Sequence, residues 1–295
     1  MMIRTDISNS HKASEPRILV FGNQKGGSGK STLAMHCAIG LLRLGFSVGS
    51  IDLDSDQKSF SRYLKNRFAK ARSIQDPSIS RQLPMPTHIT FQTSSHNDRI
   101  QARLEDGQSL LQAIEELSNH DFIIIDTAGY NSYIQQFAHS LADTIITPIN
   151  DSFIDLDLIA DIDQITKEIK GPSGYSEMVW KQRQARISET GKRIDWVIMR
   201  NRLEKVDNKH SQMISGHLLT AAKRFGFRIA PGFTNRDVFH HMFLEGITLL
   251  DWHETRENGL TLDIVQARQE VRSLLETIGL RKSVTSRKVP VQKTA

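Results

Sequence analysis

The 295-residue sequence predicts an α/β fold, a single domain whose mostly parallel, doubly wound sheet is flanked by helices. Three observations carry that expectation. Short β-branched runs at 18–21, 122–125 and 145–149 show no polar alternation, the mark of strands buried on both faces. Stretches of helical periodicity separate these runs, as in chains that build parallel sheets. A glycine-rich segment from Gly22 to Thr32 stands between the first run and the first helical pattern, where a phosphate-binding loop belongs.

The elements follow in order. A polar tail, 1–16, leads into the strand 18–21, closed by Gly22. From 31 to 44, Leu33, Ala34, Cys37, Ala38, Leu41, Leu42 and Leu44 recur at helical spacing, with Gly45 as the stop. The strand 48–53 ends in Asp52 and Asp54. A helix over about 58–71 then gives way to an irregular excursion up to residue 88 containing Pro77, Pro84 and Pro86. A short strand at 89–91 and a helical pattern at 110–117 precede the strand 122–125, which ends at Asp126. Further strands are expected at 145–149, 196–199 and 228–230, and helices at 155–169, 211–225 and 262–278. The segment 281–295 contains Pro290 and no aromatic residue, and is expected to be a basic, disordered tail after a domain spanning 17–280.

Composition narrows the function. One cysteine, Cys37, excludes an intramolecular disulfide and a zinc site built from cysteines, and its place on the helical stripe makes it a core residue. No run reaches the roughly 18 apolar residues of a membrane span, and 1–15 lacks the apolar segment of a secretory signal, so a soluble, cytoplasmic protein is expected. The formal charge of +5 comes from the last fifteen residues, which hold five basic and no acidic groups; residues 1–280 are neutral overall. Within them, 180–236 carries thirteen Lys and Arg against four Asp and Glu. Arg200, Arg202, Lys205, Lys209, Lys223, Arg224 and Arg228 lie in this stretch with few aromatic neighbours, a pattern suited to phosphate-backbone contacts of nonspecific DNA binding or to a solvated basic face.

The chemistry concentrates at three strand ends. Gly26, Gly27 and Gly29, with Ser28 among them, let backbone N–H groups close around phosphates at a helix N-terminus. Lys30 is placed to reach the β- and γ-phosphates of ATP, the Ser31 hydroxyl to ligate Mg²⁺, and Thr32 to complete the nucleotide loop. A second lysine, Lys25, lies inside the loop, and Gln24 stands where the ordinary pattern has glycine. Asp126 has the position of a carboxylate that holds Mg²⁺, directly or through water. Asp52 and Asp54, two apart on a strand end, share one face, where one carboxylate could support the metal shell and the other orient attacking water. The acidic series Asp151, Asp155, Asp157, Asp161 and Asp163 fits a helix start better than a metal cluster. His240 and His241 lack the spacing of a metal pair and read as packing or surface residues.

These motifs, the segment 25–32 with Ile51 to Asp54 and Ile123 to Thr127, resemble those of the ParA/MinD deviant Walker ATPases. Within that group, the stretches 121–129, 147–153, 195–202 and 226–229 are most similar to the MipZ division-plane-positioning ATPases. The resemblance implies an ATP-sandwich homodimer with slow turnover. In it Lys25 crosses to the partner's phosphates, Lys30 holds its own, Asp54 positions water and Asn201 sits near the adenine. It further implies nonspecific DNA binding by the ATP dimer, localisation on the nucleoid near cell poles through a ParB-type protein, and restraint of FtsZ polymerisation. With eight phosphate contacts per dimer, DNA affinity would fall by about 10³–10⁵ between 50 and 200 mM salt. Ala128 stands where relatives commonly have proline. A ParA partition ATPase and a P-loop metabolic ligase are the alternatives. A MinD-like membrane anchor would need large apolar residues that 281–295 lacks; a cluster-bearing reductase needs more cysteine, and a tyrosine kinase needs a tyrosine-rich tail, whereas the last hundred residues hold no Tyr.

Overall fold

The computed structural model describes residues 15–74, 83–163, 165–204, 208–251 and 261–279. Seven parallel strands form the central sheet: β1 (Arg17–Phe21), β2 (Val48–Asp52), β3 (Thr87–Thr90), β4 (Phe122–Asp126), β5 (Thr144–Asn150), β8 (Asp195–Asn201) and β9 (Arg228–Ala230). Their order is β3-β2-β4-β1-β5-β8-β9. Between β5 and β8 the chain makes a small antiparallel hairpin of β6 (Ala160–Ile162) and β7 (Ile169–Pro172). The fold is the single-domain α/β architecture of P-loop NTPases.

Helices cover both faces, which is why residues 18–21 of β1 and 122–125 of β4 are apolar on both sides of the sheet. On one face α1 (Lys30–Arg43), α2 (Ser59–Ser73), α8 (Val238–Glu245) and α9 (Leu262–Thr277) pack Leu33, Phe60, Met242 and Val271 against Leu19, Phe21 and Ile124. On the other, α3 (Arg99–Glu116), α4 (Tyr133–Leu141), α6 (Gly174–Thr190) and α7 (Lys209–Phe225) pack Leu110, Ala138, Met178 and Leu218 against Val20, Ile125 and Ile145. Cys37 is buried in the first layer, where loss of solvation pushes its thiol up to about 12, so it is a core residue as expected. Among the described residues no helix is long and apolar enough to cross a membrane.

The largest departure from the sequence pattern lies at 155–169. The expected helix is instead one turn, α5 (Phe153–Leu156), followed by the β6–β7 hairpin. Asp163 favours the hairpin connection by accepting from the backbone N–H groups of Ile165 and Thr166, both at 2.8 Å, local bonds that compete with helical ones. Helices α6 and α8 have no counterpart in the predicted elements, and α3 starts eleven residues before the predicted 110–117. Asp98 caps it, accepting from Ile100 N at 2.7 Å, and its first half leaves Ile100 and Leu104 exposed, which hides the helical period. Lys205 and the tails 1–14 and 280–295 lie outside the described residues.

A buried ion pair ties the first layer together. Arg67 of α2, fully buried, donates to Asp251 Oδ2 at 2.7 Å and Oδ1 at 3.0 Å, and also to the carbonyls of Pro84 and Gly246. Asp251 takes a further hydrogen bond from Arg43 at 2.6 Å and two from Thr248. Burial alone would push the Asp251 carboxyl up, but the Arg67 hydrogen bonds and charge, with Arg43 and Thr248, bring it down to about 2.

Candidate active site

The register of the sheet assembles the site. Phe21, Asp126 and Asp52 are direct neighbours across β1, β4 and β2, so the phosphate loop and both carboxylates emerge side by side at the carboxyl ends of the strands. Gly29 adopts φ +96°, and a Cβ there would lie 2.2 Å from Asn201 Nδ2. Only glycine permits both this left-handed backbone and the approach of Asn201, whose Nδ2 donates to Ser28 O at 2.9 Å. Asn201 thereby braces the loop from the end of β8. Gly129 is equally constrained, because a Cβ would stand 2.9 Å from Gly26 N, so the 127–129 segment after β4 lies directly against the loop.

The two lysines are placed differently. Lys30, 7% exposed, folds its ammonium back to Lys25 O at 3.1 Å, so it already lies inside its own cradle. Burial pushes its pKa down while the charges of Asp126 and Asp54 oppose that shift. Lys25 sits at the rim, and its ammonium pairs with Asp155 Oδ1 of the same chain. Asp155 is fully buried: it also accepts from Asn150 N at 2.8 Å and from Ser152 Oγ at 3.0 Å. The acidic series therefore supplies a partner for Lys25. Asp151 likewise holds Arg200, and no cluster of three metal-ligating side chains exists among the described residues.

The carboxylates divide in role. Asp126 is fully buried, and neither of its oxygens has a hydrogen-bond partner. Loss of solvation, then the nearby Asp52 charge, pushes its carboxyl up to about 8, against the pull of Ser31 and Lys30. An orphaned buried carboxylate next to a hydroxyl and an ammonium fits a site for Mg²⁺, with Ser31 and Asp126 as the residues that would hold it. Asp52, expected to share that metal directly or through water, is held by its own turn. Its Oδ1 accepts from Asp54 N at 3.1 Å and its Oδ2 from Ser61 N and Oγ, both at 2.8 Å. It therefore fixes the β2–α2 turn. Asp54, half-exposed on that turn, accepts from Gln57 N at 2.9 Å and faces a cavity of about 600 Å³ lined by Gly26, Lys30, Ser31, Thr127 and Tyr130.

A second cavity of about 350 Å³ continues from this one, the two sharing Gly29, Thr32, Arg202 and Phe243. Phe233, Phe239 and Phe243 line it beside Asn201, an apolar slot of the kind a nucleobase occupies. The sequence motifs point to Asn201 but not to Tyr130 after β4, Phe233 after β9, or Phe239 and Phe243 on α8, none of which lies in a motif. Of the seven basic residues expected on a DNA face, Arg202 lines both cavities instead, with φ +55° turning the chain off the end of β8. Arg200 is also withdrawn: its guanidinium is part-buried and donates to Asp151 at 2.9 Å and to Ser211 Oγ at 2.6 Å. Arg228 pairs with Asp195, and Arg224 donates to the carbonyls of Ile169 and Lys170. Lys209 and Lys223 are exposed at opposite ends of α7, about 20 Å apart along the helix.

Beneath the loop, polar groups converge on one hydroxyl. Tyr175, at the start of α6, donates to Gly22 O at 2.8 Å. Thr147 Oγ1 contacts the same hydroxyl at 2.9 Å and receives the Trp196 indole N–H at 3.0 Å. His139, which burial pushes down to about 4 and so keeps neutral, completes the group at 3.2 Å.

The family model described as ATPase MipZ matches residues 17–282. No curated protein sequence matches the chain. Among solved structures, apo McdA from Cyanothece superposes with a TM-score of 0.61 at 16% identity, covering 90% of this chain and 100% of its own. A plasmid partition protein from Borrelia burgdorferi gives 0.53 at 16%, covering 90% and 100%. MinD from Pyrococcus horikoshii OT3, complexed with Mg-ADP, gives 0.54 at 17%, covering 89% and 96%. At these identities the likeness is one of fold.

Proposed function

Because the chain belongs to the MipZ ATPase family, we propose that it is an ATP-operated dimerisation switch whose slow hydrolysis times the positioning or partitioning of a cellular cargo. One observation carries this reading: the same phosphate loop holds two lysines, and only Lys30 is used within it. In a sandwich of two copies, Lys25 would leave Asp155 for the partner's phosphates, so the dimer would be stable only while a γ-phosphate is present. Lys30, with the backbone N–H groups of Gly26 to Thr32, holds the chain's own phosphates. Asn201 and the phenylalanine-lined slot hold the base. Mg²⁺ on Ser31 and Asp126 would neutralise phosphate charge during transfer. Asp54 would orient the attacking water, and Asp52 keeps Asp54 in place through its backbone hydrogen bond.

Nonspecific DNA is the track such a switch would use, and the basic excess of 180–236 supports it. Of the seven, Lys223 and Arg224 line a separate groove, so the groups left for that contact among the described residues are Lys209 and Arg228. Between the two uses of the switch, partition of cargo is the better supported, since the chain shares its fold with a plasmid partition protein. Division-site placement, with FtsZ and a ParB-type protein as partners and a position on the nucleoid near the poles, is the reading the MipZ family membership favours.

Asp54→Ala protein separates these outcomes. Its ATP turnover should fall about 100-fold, as when a water-orienting group is removed, and it should bind a fluorescent duplex of arbitrary sequence at low salt with ATP and not with ADP. Sedimentation of FtsZ polymers with and without the ATP-loaded protein then distinguishes a division regulator from a partition ATPase. Equal or absent duplex binding in both nucleotide states overturns the DNA-bound switch, and turnover that depends on an added small acid points to a ligase.

A further inference from the structure

Helix α6 and the C-terminal turn of α7 border a separate groove of about 800 Å³. It lies beside Ile194, before β8 begins, whereas the nucleotide slot lies at Asn201, where β8 ends, about 20 Å along the strand. The walls are apolar and partly open to solvent: Trp180 is 56% and Ile187 39% exposed. Around them stand Lys181, Arg193 and Lys223, which have no acidic partner among the described residues, with Glu177 as the only carboxylate of the lining. Arg183 and Arg224 add charge from behind, their guanidinium groups donating to the carbonyls of Phe225 and of Ile169 and Lys170. Much of the basic excess seen in the sequence is thus gathered at one concave site.

Concavity and composition select the ligand. Duplex DNA is about 20 Å across, too wide to enter a groove of this volume, and its phosphates gain nothing from a tryptophan wall. An extended peptide fits a cleft of this size, and exposed Trp with surrounding Arg is the residue pattern of protein-interaction hot spots. We propose that the groove docks an acidic segment of a partner protein. An apolar side chain of that segment seats against Trp180 and Ile187, and its carboxylates meet Lys181, Arg193 and Lys223. Charge complementarity sets the polarity of the partner and the apolar walls set its anchor. The groove needs no nucleotide, so this docking is independent of the switch.

The probe is a short fluorescein-labelled peptide of Asp and Glu around a central Leu-Phe pair, titrated into the full-length protein and followed by anisotropy. A second peptide carries Ser in place of that pair, and a short duplex of arbitrary sequence is the nucleic acid arm. Saturable binding of the first peptide is expected with ATP, with ADP and in Lys25→Ala protein. Its Kd should rise at least about tenfold in Trp180→Ala and again in Lys223→Glu. Both positions are exposed, and an unchanged thermal midpoint verifies that each variant is folded. Absent or unsaturable binding overturns the proposal. So does equal affinity for the serine peptide, or duplex binding that Lys223→Glu abolishes and Trp180→Ala leaves intact, which would assign the cations to nucleic acid. Because the readout is the same in both nucleotide states, its failure leaves the switch reading standing.

Discussion

Lys25→Ala protein should remain monomeric with ATP at concentrations where the parent dimerises, its dimer dissociation constant raised at least about 100-fold. Truncating one member of a desolvated charge pair across an interface costs about 2–5 kcal/mol, much of it the penalty of leaving the other charge unpaired. Lys30 and the loop backbone are untouched, so ATP binding to the monomer should stay within a few-fold of the parent. The variant also leaves Asp155 without its ion-pair partner, although Asn150 N and Ser152 Oγ still donate to it. A companion Asp155→Asn protein makes the interpretation clean. It releases Lys25 without removing it, so it should dimerise with ATP at least as well as the parent. Analytical ultracentrifugation of both variants with ATP and ADP reads the result; ATP-dependent dimers of Lys25→Ala would show that the lysine works only within its own chain.

Asp251→Ala should lower unfolding free energy by about 3–5 kcal/mol, because it leaves the fully buried Arg67 guanidinium uncompensated. The same pair sets an acid limit. The native carboxyl at about 2 lies below the roughly 3.9 of an unfolded aspartate, so the folded chain releases this proton more readily. The pair's contribution is therefore complete above about pH 4 and disappears as pH falls towards 2, an amount of about 2–3 kcal/mol. Urea unfolding of parent and variant at neutral pH, repeated between pH 5 and 2.5, checks both statements. The two proteins should differ most at neutral pH and converge in acid; a constant difference would place the acid sensitivity elsewhere. Since Arg67 also bonds the carbonyls of Pro84 and Gly246, loosening of α2 and α8 beside the nucleotide cavities should accompany the loss.

The phosphate loop, Asp126 and the sheet were legible in sequence because their signals are local: glycines at fixed offsets, and apolar runs that end in a carboxylate. What the sequence does not show is non-local. Arg200 and Arg202, two apart, would share a face if β8 continued, but the strand ends at Asn201, and a left-handed backbone sends Arg202 into the two cavities beside the glycine-rich loop while Asp151 keeps Arg200 inside. The partner of Lys25 lies 130 positions away on α5, in a segment whose acidic spacing imitates a helix start. Asp52 carries the pattern of a metal carboxylate, and the three donors it accepts from its own turn lie up to nine positions away. Helix α6, unforeseen, supplies both Tyr175 and the Trp180 groove.

The hydroxyl of Tyr175 joins the indole of Trp196 to the first residue of the phosphate loop through Thr147. Trp196 is 1% exposed, so its emission should be shielded from solvent quenchers while remaining sensitive to any change in this short polar chain. Replacing Trp180 and Trp252, the other two tryptophans of the sequence, by phenylalanine would leave Trp196 as the sole tryptophan emitter. In that protein, intrinsic fluorescence should report closure of the loop around ATP in real time, an optical readout of the switch that needs no attached dye.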